Sequence, residues 1–147
     1  MTWIWISVAI AVGTLVAIQP TLNAEIGRHA GGALAAAAVN FGVGLVALVA
    51  LTATLGNGLP SLTALRAAPW WAWGGGLIGA SFVTTAAFLT PRIGVAALIA
   101  AIICGQLAAS VVLDHFGLFN LPIREASWPR ILGVVMAACG VLLVTQN

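Results

Sequence analysis

Residues 93–113 read IGVAALIAAIICGQLAASVVL, a run of 21 positions without one charged side chain, closed by Asp114 and His115. The hydrocarbon core of a bilayer is about 30 Å thick, and an α-helix needs roughly 20 predominantly apolar residues to cross it. The stretch has that length, so it reads as a membrane-spanning helix. The same pattern repeats on both sides between Gly, Pro and Arg residues, giving five expected spans at about 3–23, 33–55, 70–90, 93–113 and 129–146. The last reaches spanning length only by starting near Trp128 or Pro129, where a proline suits a first helical turn. Only residues 91–92 separate the third and fourth runs, which predicts a tight antiparallel hairpin. The fold class expected is therefore an all-α membrane protein: one transmembrane domain over residues 1–147, a bundle of five helices.

Composition requires the same solvent. Of 147 residues, 62% are hydrophobic and 5% charged, with a mean hydropathy of +1.14. A soluble domain carries roughly a quarter charged residues, and five Arg with three acids cannot clothe a surface in water. The net charge of +2 reflects scarcity of charge, not a basic patch, so nucleic acid is excluded as a partner and the lipid bilayer is the expected one. Cys104 and Cys139 lie in apolar runs and read as small hydrophobes, without redox or metal roles. Met1-Thr2-Trp3 lacks a basic leader region, so the first apolar run reads as retained.

The expected loops are 25–32, 56–69, 91–92 and 114–127, and every charge lies in or beside one of them. Arg66, Arg124 and Arg130 fall on the N-terminal side and Arg28 and Arg92 on the other, a bias of one residue toward an inside N-terminus. All six Trp (Trp3, Trp5, Trp70, Trp71, Trp73 and Trp128) stand at starts of odd-numbered helices, as an interfacial belt at one face. Small residues recur at four-residue spacing (Gly75 and Gly79, Gly76 and Ala80, Ala101 with Gly105 and Ala109, Gly133 and Ala137), which predicts close helix packing. Five helices put the termini on opposite sides, so a second copy in the opposite orientation would reproduce an inverted repeat. An antiparallel homodimer and a parallel one are both open.

Polar side chains inside spans are expected to turn away from lipid. Gln106, Ser110 and Asp114 are four residues apart and share one helical face; they either line a cavity or bond a neighbouring helix. Gln19 and Asn23 have the same spacing with Pro20 between them, and the proline frees the carbonyl of Val16. Two amides beside a liberated carbonyl suit a substrate or ion site; the alternative makes Pro20 the end of the helix. Asn40 could meet the same cavity or bridge two helices. Ser81, Thr84 and Thr85 can satisfy their own preceding turns. Glu25 and Asp114 are the carboxylates placed for proton coupling, while Arg28 and His29 offer Glu25 a solvated cluster instead. No nucleophile lies by an acid–base pair, and zinc spacing, Walker loop and dinucleotide fingerprint are missing, so neither an enzyme nor a cofactor is expected.

The chain resembles the drug/metabolite transporter superfamily, and within it the short five-helix YdcZ-like (EamA-like) family, over essentially its full length. Gln19 and Asn23, Asn40-Phe41-Gly42-Val43-Gly44, Ile93-Gly94-Val95-Ala96, Gly105-Gln106 with Ser110, Asp114-His115-Phe116-Gly117-Leu118-Phe119, then Arg130, Gly133, Gly140 and Val141 carry the likeness. The Gly-Gln to Asp-His-Phe-Gly stretch is its most specific part. The resemblance implies a bundle equivalent to one half of a ten-helix inverted-repeat transporter, and a dimer. The chain departs from the small multidrug resistance family, which carries an ionisable Glu within the first helix where this chain has Gln19. The expectation is a multi-pass protein of a bacterial-type inner membrane that transports a small molecule by alternating access as a homodimer. Gln19, Asn23, Asn40, Gln106 and Ser110 would bind substrate, with Asp114 or Glu25 coupling. The rival is a non-transporting membrane subunit, a scaffold for a larger partner.

Overall fold

The computed structural model describes residues 2–56, 58 and 61–146. The described residues are all-α, with α1 over Thr2–Ala30, α2 over Ala33–Leu55, α3 over Leu62–Arg66, α4 over Gly74–Ile93, α5 over Val95–Phe116 and α6 over Trp128–Thr145. Among the described residues, five segments are long and apolar enough to cross a membrane: Trp3–Ala30, Ala33–Leu55, Trp70–Ile93, Val95–Phe116 and Trp128–Thr145. Most of their large apolar side chains are exposed, which water would not tolerate over so wide an area and hydrocarbon favours. The backbone divides into two compact units, Met1–Arg92 and Ile93–Asn147.

In the first unit the helices run past the boundaries expected from the sequence. Pro20 does not end α1, which continues through Asn23, Glu25 and Arg28 to Ala30. A proline costs one backbone bond, and the turns beyond it close normally when neighbouring groups tolerate the freed carbonyl. Glycine makes the actual stop. Gly31 takes φ +90° and the Gly32 N–H donates to the Gly27 carbonyl at 2.8 Å, the six-to-one bond of a Schellman ending. Likewise 91–92 is not a loop: α4 runs through Pro91 and Arg92 to Ile93, and the break falls at Gly94, φ +76°. Pro91 lies too near the helix end to disturb more than one turn. The segment ahead of α4, Trp70–Trp73, is a 3₁₀ turn, and Ser61 caps the short α3 by accepting from the Ala64 N–H. Neither was anticipated.

Burial in this unit is concentrated toward the end where α1 turns into α2: Pro20 and Asn23 on α1, Ala36 and Ala37 on α2, and Val83, Ala86, Ala87 and Thr90 on α4. These side chains are small, which permits close approach of helix backbones. Of the four-residue glycine spacings, only Gly79 shows the expected close contact; a Cβ there would meet the Phe41 ring at 3.3 Å, whereas Gly75 and Gly76 face open space.

In the second unit α5 and α6 pack against each other. The helix α5 extends past Asp114 to Phe116 and is ended by Gly117 in the left-handed conformation, φ +59°. A 3₁₀ turn over Leu118–Asn120 follows. The chain then folds back so closely that a Cβ on Gly117 would lie 2.7 Å from Ile123 Cγ1 and 3.1 Å from the Leu121 carbonyl oxygen. Pro129 sits in the first turn of α6. Gly105 and Gly133 meet nothing within 4 Å, so those spacings do not serve packing within the chain.

Candidate functional site

Within the first unit a cavity of about 310 Å³ is lined by Gln19 of α1, by Asn40, Phe41, Gly44, Leu45 and Leu48 of α2, and by Val83 of α4. At 1.5 Å per residue, Asn40 and Leu48 stand roughly 10 and 22 Å along α2 from its start at Ala33. The cavity therefore occupies the central part of the span, where a transporter needs its binding site. Its walls are mainly aliphatic, with one aromatic ring and two amides, the composition of a small-molecule pocket. The backbone contributes as well: Pro20 has no N–H for the Val16 carbonyl, one turn before Gln19.

Asn23 lies one turn beyond Gln19 and is the largest fully buried side chain among the described residues, 2% exposed, yet it is not part of the cavity wall. Among the described residues, Gln19, Asn40 and Gln106 form no side-chain hydrogen bond. Such amides retain their full donor and acceptor capacity. A second, more open hollow of about 360 Å³ has Leu34, Ala80, Ser81, Thr84 and Thr85 on its wall; its three hydroxyls form a weaker recognition set than the amides.

The candidates of the second unit fall into two groups. On α5, Gln106 is exposed, and Ser110 is half-buried, its hydroxyl donating to the Leu107 carbonyl at 2.9 Å. Asp114 belongs to a clasp. Its carboxylate pairs with the Arg130 guanidinium, its own carbonyl accepts the Arg124 N–H at 2.8 Å, and Arg130 also donates to the Arg124 carbonyl at 3.1 Å. The neighbouring His115 accepts the Ala126 N–H on Nδ1 at 3.2 Å. These bonds tie the end of α5 to the connection and to the start of α6. Glu25 in the first unit is exposed on α1, 2.9 Å from Arg28 and 3.2 Å from His29, in the solvated cluster that the sequence offered as one reading. Among the described residues no group of His, Cys, Asp and Glu could hold a metal ion.

The structure thus brings Gln19 and Asn40 to one cavity, buries Asn23 a turn away, and gives both carboxylates cationic partners. The apolar wall, Phe41, Leu45, Leu48 and Val83, was not anticipated as part of a site, because nothing distinguishes such residues from lipid-facing ones in a sequence. Phe41 and Gly44 carried a signal only by their place in the Asn40–Gly44 stretch.

The profile of the family described as "Putative inner membrane exporter, YdcZ" matches residues 4–143. The inner membrane protein YdcZ of Escherichia coli strain K12 is 29% identical over 139 residues, covering 94% of this chain and 92% of that protein. No solved structure matches.

Proposed function

The chain belongs to the YdcZ family of inner-membrane exporters, and from that premise we propose that it moves a small polar or amphipathic metabolite by alternating access, as a homodimer, with Gln19 and Asn40 in the substrate site. The coarser part, a multi-pass transporter of the inner membrane, follows from the family and the five apolar spans. The finer part is carried by one observation: a hollow at mid-span faced by two amides with no partners of their own in the described chain.

An unpaired amide in a water-poor environment costs about 1–3 kcal/mol. A substrate that hydrogen-bonds to Gln19 and Asn40 recovers that energy, while the aliphatic wall accepts its apolar part. At about 310 Å³ the cavity is at the small end of ligand pockets, which run from roughly 300 to 1,000 Å³. A metabolite-sized solute fits it better than a bulky drug. Dimerisation supplies the second half of a site that a five-helix chain lacks, as the two halves of inverted-repeat transporters do within one chain. Asp114 and Glu25 are less suited to coupling than the amides are to binding, since each already neutralises an arginine.

The test is efflux from proteoliposomes loaded with a metabolite mixture and read by mass spectrometry. Gln19→Leu and Asn40→Leu are each expected to lower flux of the transported species about tenfold at unchanged protein yield and helicity. Unchanged flux in both variants would remove the cavity from the pathway.

A further inference from the structure

At the far end of the first unit lies another hollow, of about 270 Å³, where the last turns of α1 and α4 meet the first turn of α2. Its floor is apolar, with Ala24, Ala33, Ala87 and Pro91, and Arg28 and Arg92 stand on its wall. The geometry points to a binding site for a phosphate group borne on an apolar body. The site stands independently of the transport reading.

Three observations carry the assignment. The first is charge. Arg28 is paired with Glu25 at 2.9 Å, but no acid among the described residues pairs with Arg92, so two guanidiniums against one carboxylate leave a positive charge uncompensated. The second is preorganisation. Arg92 stands over the Phe88 ring, its guanidinium carbon 3.5 Å from the ring centroid, and donates to the Phe88 carbonyl. The ring contact and the bond to the carbonyl hold the guanidinium in place and leave its other N–H groups to receive an oxyanion in two-point fashion. The third is size and place. A hollow of about 270 Å³ lies below the usual range for an entire drug-sized ligand. It suits a headgroup whose remainder extends outward, and basic hollows between spanning helices near the interface accept lipid headgroups. Arginine rather than lysine is the residue that phosphate geometry selects. The sequence held half of this signal, since Arg28 and Arg92 fall on one side of the membrane while no spacing rule joins them.

A phospholipid and a water-soluble phosphate ester share the chemistry, and the experiment separates them. Detergent-purified protein is titrated with phosphatidylglycerol, with phosphatidylcholine as the zwitterionic comparison, and with glycerol 3-phosphate, binding being read by native mass spectrometry and by melting temperature. Wild type is expected to prefer phosphatidylglycerol to phosphatidylcholine. The exposed Arg28→Gln and, separately, Arg92→Gln are expected to weaken binding of the phosphate about tenfold with unchanged circular dichroism. Competition by glycerol 3-phosphate identifies a soluble ester as the source, and its failure to compete identifies the lipid; both support the site. Arg92→Lys keeps the charge and loses the planar fork, so an intermediate loss is expected. Equal binding of the two lipids with no binding of glycerol 3-phosphate, or a preference that both glutamine variants retain, overturns the proposal.

Discussion

Asp114 shows most plainly how a residue's chemistry depends on what the chain brings beside it. A carboxylate four residues from Ser110 and eight from Gln106 reads, on helical spacing, as the acidic end of a polar stripe. In the fold it meets Arg130, sixteen residues away, and both side chains are less than a third exposed. The partner is set by the path of the connection, which no local spacing encodes. Removing one member of a partly buried pair leaves the other charge without compensation. Asp114→Asn is therefore expected to cost about 1–3 kcal/mol, and Arg130→Gln a similar amount. The double variant should cost less than the sum of the two, a coupling that denaturation of the purified protein measures directly. Additive losses would mean that the pair contributes nothing to stability. Gln19 and Asn40 were the more legible residues, because an amide in an apolar span is costly wherever it points.

The five spanning elements were readable from length and apolarity alone, and their ends were not. Pro20 and Pro91 look like breaks in the sequence, yet both lie within helices, whereas the stops at Gly31, Gly94 and Gly117 use positive φ. Proline removes one donor and leaves the torsions helical, so a helix supported by its neighbours survives it; a residue at positive φ reverses the path of the chain, and glycine does this without a Cβ penalty. Gly117 has a second requirement, since a Cβ would collide with Ile123 and crowd the Leu121 carbonyl. Gly117→Ala is expected to cost about 2 kcal/mol or more, combining left-handed strain of roughly 1 kcal/mol with displacement of the returning strand of the connection. Gly58→Ala, at φ +87° with open space about it, supplies the comparison: its loss should stay near the strain term alone. Melting temperatures of the two variants give the difference, and equal shifts would show that the close approach at Gly117 carries no energy. Asp114 to Gly117, the closing part of the Gly-Gln to Asp-His-Phe-Gly stretch that carries the most specific family likeness, thereby belongs to a clasp between two helices.

At the scale of the whole molecule Gln106 makes the strongest demand. It is exposed at the middle of α5, ten residues or about 15 Å from the helix end at Phe116, where hydrocarbon offers no hydrogen bond. An interhelical partner for such an amide contributes about 1–2 kcal/mol, and a second copy of the chain is the partner the dimer reading provides. Gln106→Leu is expected to weaken self-association about tenfold, as read by energy transfer between labelled subunits diluted in lipid vesicles. An unchanged dimer would place the contact elsewhere. Gly105, exposed beside it with open space at its Cβ position, leaves room for a close approach.

Solvent, fold class and number of spans were decided by the sequence itself, because burial of apolar side chains in hydrocarbon depends on composition and run length and needs no knowledge of neighbours. Tertiary structure decided which polar groups share a space. Gln19 and Asn40 face one hollow, Arg28 and Arg92 another, and Asp114 meets Arg130, since contacts between helices depend on rotation and crossing that residue spacing along one helix leaves undetermined.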